Sequence, residues 1–273
     1  MLSEIILPNS YNYCGVFLSL KCNLRCPYCI NRQGELKNST ELTGEQWIEG
    51  LSRIKTTEDF PITLQGGEPT MYRDFYKVVE NLHGKHLDLL TNGKFNTGEF
   101  MGHVHSGIFN RKKSPYISIR MSYHKGQNDW YITDKIGVLK SAGYNLGVFG
   151  LSHVDNKMMK DICKSSDVTF TEKEYLDKTH GKYKYPEALS GIPRTVLCKP
   201  SELLIAPDGK LYRCHSELYS GINSYGNILD EEVNIPTDFA KCDRFGICNS
   251  CDFKWKTNRL LEKNHCSVEI KEC

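Results

Sequence analysis

The chain has 273 residues, 39% hydrophobic and 25% charged, with a formal net charge of +2. Such a composition is ordinary for a folded domain, and a near-neutral charge gives no argument for a nucleic-acid or membrane partner. No run approaches eighteen apolar residues, so no membrane span is expected. The opening stretch MLSEIILPNSYNYCG lacks the basic start and small-residue cleavage site of a signal peptide, and the expected location is cytoplasmic. The one basic run, Arg111-Lys112-Lys113, reads as a solvated turn.

The first two-thirds alternates strand and helix signals. GVFLSLK (15–21) reads as a strand with Val16, Leu18 and Leu20 on one face. A helix is predicted over 43–55, opened by a capping box of Thr43 and Gln46 and striped by Trp47, Ile48, Leu51 and Ile54. PITLQGG (61–67) is a second strand, followed by helical spacing through Phe75, Val78, Val79 and Leu82, with Gly84 as the stop. HLDLLTNG (86–93) is a third strand, and a short helix follows over 97–105.

SPYISIRMS (114–122) is a fourth strand, with Ile117, Ile119 and Met121 facing one way and Ser118, Arg120 and Ser122 the other. Then come a helix over 129–142, the strand YNLGVFGLS (144–152), a helix over 156–164 and the strand DVTFT (167–171). Alternating β and α implies a parallel sheet with right-handed crossovers. Six units allow a partial barrel or an open doubly wound sheet. The fourth strand favours the barrel, since an open sheet covered on both faces should be apolar on both. Polar residues on one face suit a lumen that holds a polar ligand.

The pattern changes after 172. A polar, tyrosine-containing stretch leads to LLIAPDGKLYRC, which reads as a hairpin around Pro207-Asp208-Gly209. The expected architecture is α/β: a partial (β/α)6 barrel over 1–190 and a small cysteine-rich hairpin extension over 191–273.

Twelve cysteines in a reducing compartment point to metal rather than disulfides. Cys22, Cys26 and Cys29 form one group, KCNLRCPYC. Cys198, Cys214, Cys242, Cys248, Cys251, Cys266 and Cys273 form another; Cys14 and Cys163 stand alone. Three thiolates in one loop can hold three irons of a cubane cluster and leave the fourth open. The competing reading is zinc, but a structural zinc wants four ligands, and the next histidine is His83.

C-x3-C-x2-C after the first strand, with Tyr28 before the last cysteine, GGEPT (66–70) closing the second strand and TNG (91–93) closing the third, resembles the radical S-adenosylmethionine (SAM) enzymes. The resemblance covers 14 to about 171. It implies that Cys22, Cys26 and Cys29 hold a [4Fe–4S] cluster whose open iron chelates the amino and carboxylate groups of SAM. Gly66, Gly67, Glu68 and Pro69 would approach the methionine amino group, and Tyr28 the adenine. Thr91 and Asn92 would close the same site, with Ser122 and Arg120 at the ribose or carboxylate. The implied chemistry is reductive cleavage of SAM to a 5′-deoxyadenosyl radical that takes a hydrogen atom from the substrate. The electron donor implied is a flavodoxin or ferredoxin.

Cys198-x10-Gly209-x4-Cys214 wraps the predicted hairpin, and Cys248-x2-Cys251 adds two thiolates. This resembles the twitch or SPASM auxiliary-cluster extension of the same family. It implies one auxiliary [4Fe–4S] cluster on Cys198, Cys214, Cys248 and Cys251, with Cys242 or Cys266 as substitutes and a zinc ribbon as the competing reading. CDRFGICNSC departs from the full SPASM pattern, which argues against a second auxiliary cluster. Because the first cluster cysteine stands at residue 22, with no room before it for a peptide-recognition domain, the expected substrate is a small polar molecule, oxidised with the auxiliary cluster as electron acceptor. Modification of a short peptide or protein (crosslinking, oxidation or epimerisation) is the alternative. Arg120, His124, His153 and Glu172 are the candidate substrate contacts. His215, beside Cys214, is a candidate donor to cluster sulfur, and Cys163 a candidate hydrogen-atom donor or, on a helix, a small buried hydrophobe.

Overall fold

The structure, a computed structural model, describes residues 3–32, 40–109, 117–175, 181–258 and 263–273. Six strands alternate with helices: β1 (Tyr13–Ser19), β2 (Ile62–Gly66), β3 (Leu87–Thr91), β4 (Ile119–Ser122), β5 (Leu146–Leu151) and β6 (Thr169–Lys173). The helices are α1 (Gly44–Ser52), α2 (Phe75–Asn81), α3 (Thr97–His103), α4 (Asp129–Ser141) and α5 (Lys157–Ser165). Each strand pairs in parallel with the one before it, in the order 6-5-4-3-2-1. A doubly wound sheet reverses direction partway, whereas this one never does. Right-handed crossovers that always advance toward the same edge put all helices on one face. The other face becomes a lumen, which is the partial-barrel arrangement. The basic run at 111–113 and the start of the predicted fourth strand lie outside the described residues.

Local chemistry sets these elements. Thr43 accepts from the Gln46 amide while the Gln46 side chain accepts from the Thr43 amide, so the predicted capping box closes. Such a cap contributes about 1 kcal/mol. Behind it Trp47 and Leu51 are fully buried. Val16, Leu64, Leu89, Ile119, Met121 and Val148 carry the outer face of the sheet into the same core, each stabilising by about 1.5–3 kcal/mol. The inner face carries Thr63, Asp88, Ser118 and Arg120, all buried. The polar alternation of the fourth strand therefore does line the lumen.

Beyond the barrel come β7 (Arg194–Pro200), β8 (Glu202–Ile205), β9 (Leu211–Tyr212), α6 (His215–Ser220), β10 (Ala240–Phe245) and β11 (Val268–Lys271). β8 and β9 form the predicted hairpin, Leu204 opposite Tyr212 and Ile205 opposite Leu211. Gly209 takes φ +80° at its turn, a conformation glycine adopts without strain. β8 also pairs in parallel with β1, so the hairpin extends the barrel sheet to eight strands. Leu203, Ile205 and Leu211 share the core of Val16. A second sheet, β10-β7-β11, has its own core of Val196, Phe245, Phe253 and Val268. No helix among the described residues is long and apolar enough to cross a membrane.

Candidate active site at the strand ends

The three motifs predicted to converge do so through backbone and buried side-chain bonds. Gly67 N–H donates to the Ser19 carbonyl at 2.9 Å and Glu68 N–H to the Lys21 carbonyl at 2.7 Å. The GGEP turn is thus tied to the first residues of the cysteine loop. A Cβ on Gly67 would stand 2.1 Å from the Lys21 oxygen, and one on Gly66, whose φ is +135°, 2.2 Å from the Ser19 oxygen. Any side chain here would push the loop off the strand end.

Glu68 is fully buried. Its carboxylate accepts from Thr70 Oγ1 (2.8 Å), Thr91 Oγ1 (2.7 Å) and the Asn92 amide (2.7 Å), and more weakly from the Thr70 amide. Burial pushes its pKa up while these four donors hold it down. This carboxylate joins the GGEP turn to the TNG turn. The Gly66 carbonyl accepts from Asn31 Nδ2, and Pro69 opens a single 3₁₀ turn. Thr91 and Asn92 likewise act as ties: Asn92 Nδ2 donates to Asn23 Oδ1 at 2.8 Å and lies 3.7 Å from Cys22 Sγ.

The loop holds Cys22 exposed, Cys29 part-buried and Cys26 buried, none of them in a disulfide. The Leu24 amide donates to Cys22 Sγ at 3.4 Å, Cys29 N–H donates to the Cys26 carbonyl at 3.2 Å, and Cys26 Sγ faces Gln127 Oε1 at 3.8 Å. N–H donors aimed at sulfur suit thiolate ligands, and three thiols on a loop backed by two glycines fit an iron–sulfur cube. Among the described residues, no three His, Cys, Asp or Glu side chains are gathered tightly enough for a single metal ion.

An aromatic wall flanks the loop. Tyr28 O–H lies 2.8 Å from His124 Nδ1, and its ring meets His153 edge-on at 5.3 Å and Tyr175 at 6.0 Å; His153 and Tyr175 lie 4.0 Å apart. Burial lowers the His124 pKa to about 4, so it is neutral near pH 7. Tyr28 is pushed up to about 12, first by burial and then by Cys26 and Cys29. Arg120 pairs with Asp88 at 3.1 Å, both on the inner face. Ser122, opposite Phe149, is part-exposed at the end of β4.

Glu172 is not brought to this site. Strand alternation puts Phe170 and Glu172 outside, where Glu172 pairs with Lys160 of α5 at 2.8 Å and accepts from Asn156. The inward residue is Lys173, whose ammonium stands 4.9 Å over the Phe149 ring. The parity of TFTEK would have revealed this, since an apolar Phe170 facing the helices forces Glu172 to the same side. Cys163 is fully buried in the main core of α5, where burial pushes it to about 11; the hydrophobe reading holds over that of hydrogen-atom donor.

In the C-terminal part, Cys198, Cys214, Cys242 and Cys248 line one small apolar cavity with Val196, Phe245 and Phe253. Cys214 caps α6 and receives the Glu217 amide at 3.4 Å. Cys251, expected as the fourth ligand, does not line that cavity; the charges nearest its thiol include Lys254, Asp252, Lys256 and Glu202. Cys266 Sγ instead meets the Asp252 carbonyl at 3.2 Å. His215 is bound to Asp252 through Nδ1 at 2.9 Å, and Asp252 also takes the His215 and Ser216 amides. These bonds anchor α6 to the cysteine-rich tail.

Residues 16–192 match the family model of the Radical SAM superfamily, and the chain belongs to that family: it is a radical SAM enzyme, a class built on SAM cleavage and radical generation. Its C-terminal part resembles the twitch/SPASM type of domain. Among curated proteins, the chain is 32% identical over 79 residues to a probable GTP 3′,8-cyclase of Methanopyrus kandleri, covering 29% of this chain and 25% of that protein. It is 36% identical over 89 residues to molybdenum cofactor biosynthesis protein 1 of Mus musculus, covering 30% of this chain and 14% of that protein. The matches thus span a quarter or less of these relatives. The fold of Streptococcus suis SuiB, solved with its precursor peptide SuiA, superposes with TM-score 0.57 at 12% identity over 81% of this chain and 63% of SuiB.

Proposed function

We propose that the protein oxidises a small polar substrate by radical SAM chemistry, using one auxiliary [4Fe–4S] cluster as electron acceptor. The observation that supports this best is the Glu68 bridge. It binds the cysteine loop, the GGEP turn and the TNG turn into one rigid seat at the ends of β1, β2 and β3. Cys22, Cys26 and Cys29 would hold the first cluster there, and the Gly66–Gly67 backbone would face the methionine amino group. When bound, cluster and SAM supply a 5′-deoxyadenosyl radical that removes a hydrogen atom from the substrate. Tyr28, fixed by neutral His124 and backed by His153 and Tyr175, forms the adenine wall, and Ser122 offers a hydroxyl to the ribose. Arg120, held by Asp88, presents a fixed cation to a carboxylate.

Cys198, Cys214 and Cys248 would hold the auxiliary cluster, which would supply an electron acceptor for a net oxidation. Cys242 is favoured over Cys251 as the fourth ligand because it shares the cavity. Reducing equivalents come from a flavodoxin or ferredoxin. The polar inner face of Thr63, Asp88, Ser118 and Arg120, itself buried, is compatible with a small polar substrate held above it at the strand ends. The fold shared with SuiB supports a peptide as the second reading. The test is 5′-deoxyadenosine release by reconstituted enzyme, with small polar compounds and short peptides in separate arms. A rise above the uncoupled rate with the small compounds is expected; a rise confined to the peptide arm sinks the first reading in favour of the second.

A further inference from the structure

Two parts of the chain meet at Asn31, which stands two places after Cys29 on a single 3₁₀ turn, Ile30–Arg32. Its Nδ2 donates to the Gly66 carbonyl, and its Oδ1 accepts from the Tyr219 hydroxyl. A carbonyl only accepts, so a single orientation of the amide serves both partners. Gly66 belongs to the GGEP turn, and Tyr219 to α6, whose N-cap is Cys214. One side chain therefore bridges the strand-end site and the C-terminal part. The Gly66 carbonyl shares a rigid peptide unit with the Gly67 N–H, which donates to the Ser19 carbonyl at 2.9 Å. That unit is thus gripped at both ends. Glycine stands on either side of it, with Gly66 at φ +135°, so the chain itself restrains its rotation weakly. Its orientation comes from its partners: backbone at one end, Asn31 at the other.

Tyr219 is itself firmly set. It is buried in a small core with Phe17, Leu204, Tyr212 and Leu218, against which Ile30 of the cysteine loop packs. Its ring meets Phe17 of β1 edge-on at 6.0 Å. His215, one helical turn earlier, meets the same Phe17 ring at 6.1 Å and is anchored to Asp252 of the tail at 2.9 Å. The path from Cys214 to Gly66 therefore runs through one short helix, one packed ring and two hydrogen bonds.

We propose that Asn31 and Tyr219 are positioning residues through which the C-terminal part orients the Gly66–Gly67 peptide for SAM. The inference rests on the radical SAM reading of the strand-end site, and it gives the C-terminal part a role in SAM binding that is separate from electron acceptance. Tyr219 acts through Asn31. Without the tyrosine hydroxyl, Asn31 Oδ1 loses its partner and the amide is free to turn away from Gly66.

The test is equilibrium dialysis of SAM against anaerobically reconstituted full-length protein. Tyr219→Phe should weaken SAM binding about tenfold, equivalent to ~1.4 kcal/mol, with iron content unchanged. Asn31→Ala should weaken it at least as much, and the double variant no more than Asn31→Ala alone, because one path is broken only once. Asn31→Asp keeps an acceptor for Tyr219 but has no donor for Gly66, and should match the alanine variant; it stands in if that variant fails to fold. Tyr212→Phe is the control. Tyr212 shares the small core with Tyr219, and its buried hydroxyl has no hydrogen-bond partner among the described residues, so its removal should leave SAM affinity within about twofold, well under the tenfold step of ~1.4 kcal/mol. Three results overturn the proposal: wild-type affinity in Tyr219→Phe, an equal loss in Tyr212→Phe, or additive losses in the double variant. Wild-type protein that takes up no SAM fails the radical SAM reading itself and takes the proposal with it.

Discussion

Glu68 accepts a hydrogen bond from Thr91 Oγ1 at 2.7 Å across 23 residues of chain, inside a fully buried pocket. One carboxylate therefore joins the turn after β2 to the turn after β3, and through the Glu68 amide both are tied to Lys21 beside Cys22. Glu68→Gln puts an amide N–H₂ against donors and should cost about 2–3 kcal/mol. Thr91→Val leaves one lone pair unfilled and should cost about 1 kcal/mol. A double-mutant cycle by denaturant unfolding should show coupling of 0.5 kcal/mol or more; strict additivity would mean the bond does not hold the turns together.

The auxiliary site makes a second prediction. If Cys198, Cys214, Cys242 and Cys248 surround the cluster, Cys242→Ser should lower iron by about four per chain, and Cys251→Ser should leave it near the wild-type level. Iron and sulfide analysis of the reconstituted variants reads this directly. The opposite ranking would restore Cys251 as the ligand and leave Cys242 a wall of the cavity.

The Tyr28–His124 bond predicts a pH signature. The folded pKa of His124, about 4, lies below its ordinary 6.5. The unfolded chain therefore binds the proton more readily, and stability falls as pH drops from 6.5 toward 4. The contribution, discounted for partial exposure, is on the order of 2 kcal/mol. His124→Asn should flatten this part of the stability–pH curve relative to wild type in urea unfolding across pH 4–7. Parallel curves would show that His124 does not titrate there.

Features that depend on near neighbours were legible in the sequence. The Thr43–Gln46 box, the hairpin at Pro207-Asp208-Gly209 and the polar alternation of Ser118, Arg120 and Ser122 all follow from residues a few positions apart. Features set by distant pairing were not. No local pattern says that β8 lies beside β1, which makes the hairpin part of the barrel sheet. Nor does GGEP itself say that its glutamate turns inward to Thr91 and Asn92. Glu172 was misplaced for a different reason: its charge drew notice while the parity of its strand, set by Phe170, went unused. The tail was hardest, because its four cavity cysteines come from β7, the start of α6, β10 and the loop after it, and only the folded chain shows that Cys242 shares their cavity.

The loop cysteines carry a simpler expectation. Replacing Cys22, Cys26 and Cys29 together by alanine should lower iron by about four per chain while leaving the core of β1–β6 folded, since Cys22 and Cys29 contribute nothing to it. Loss of the entire fold, by circular dichroism, would mean the loop is a structural metal knot.

The most direct measurement of the central claim is the fate of SAM. Protein reconstituted anaerobically with iron and sulfide is reduced with dithionite and incubated with SAM, and the nucleosides are separated by chromatography. 5′-Deoxyadenosine and methionine should accumulate in equal amounts, and not at all in the triple cysteine variant. Intact SAM, from protein whose spectrum shows a reduced [4Fe–4S] cluster on the loop, would contradict the account.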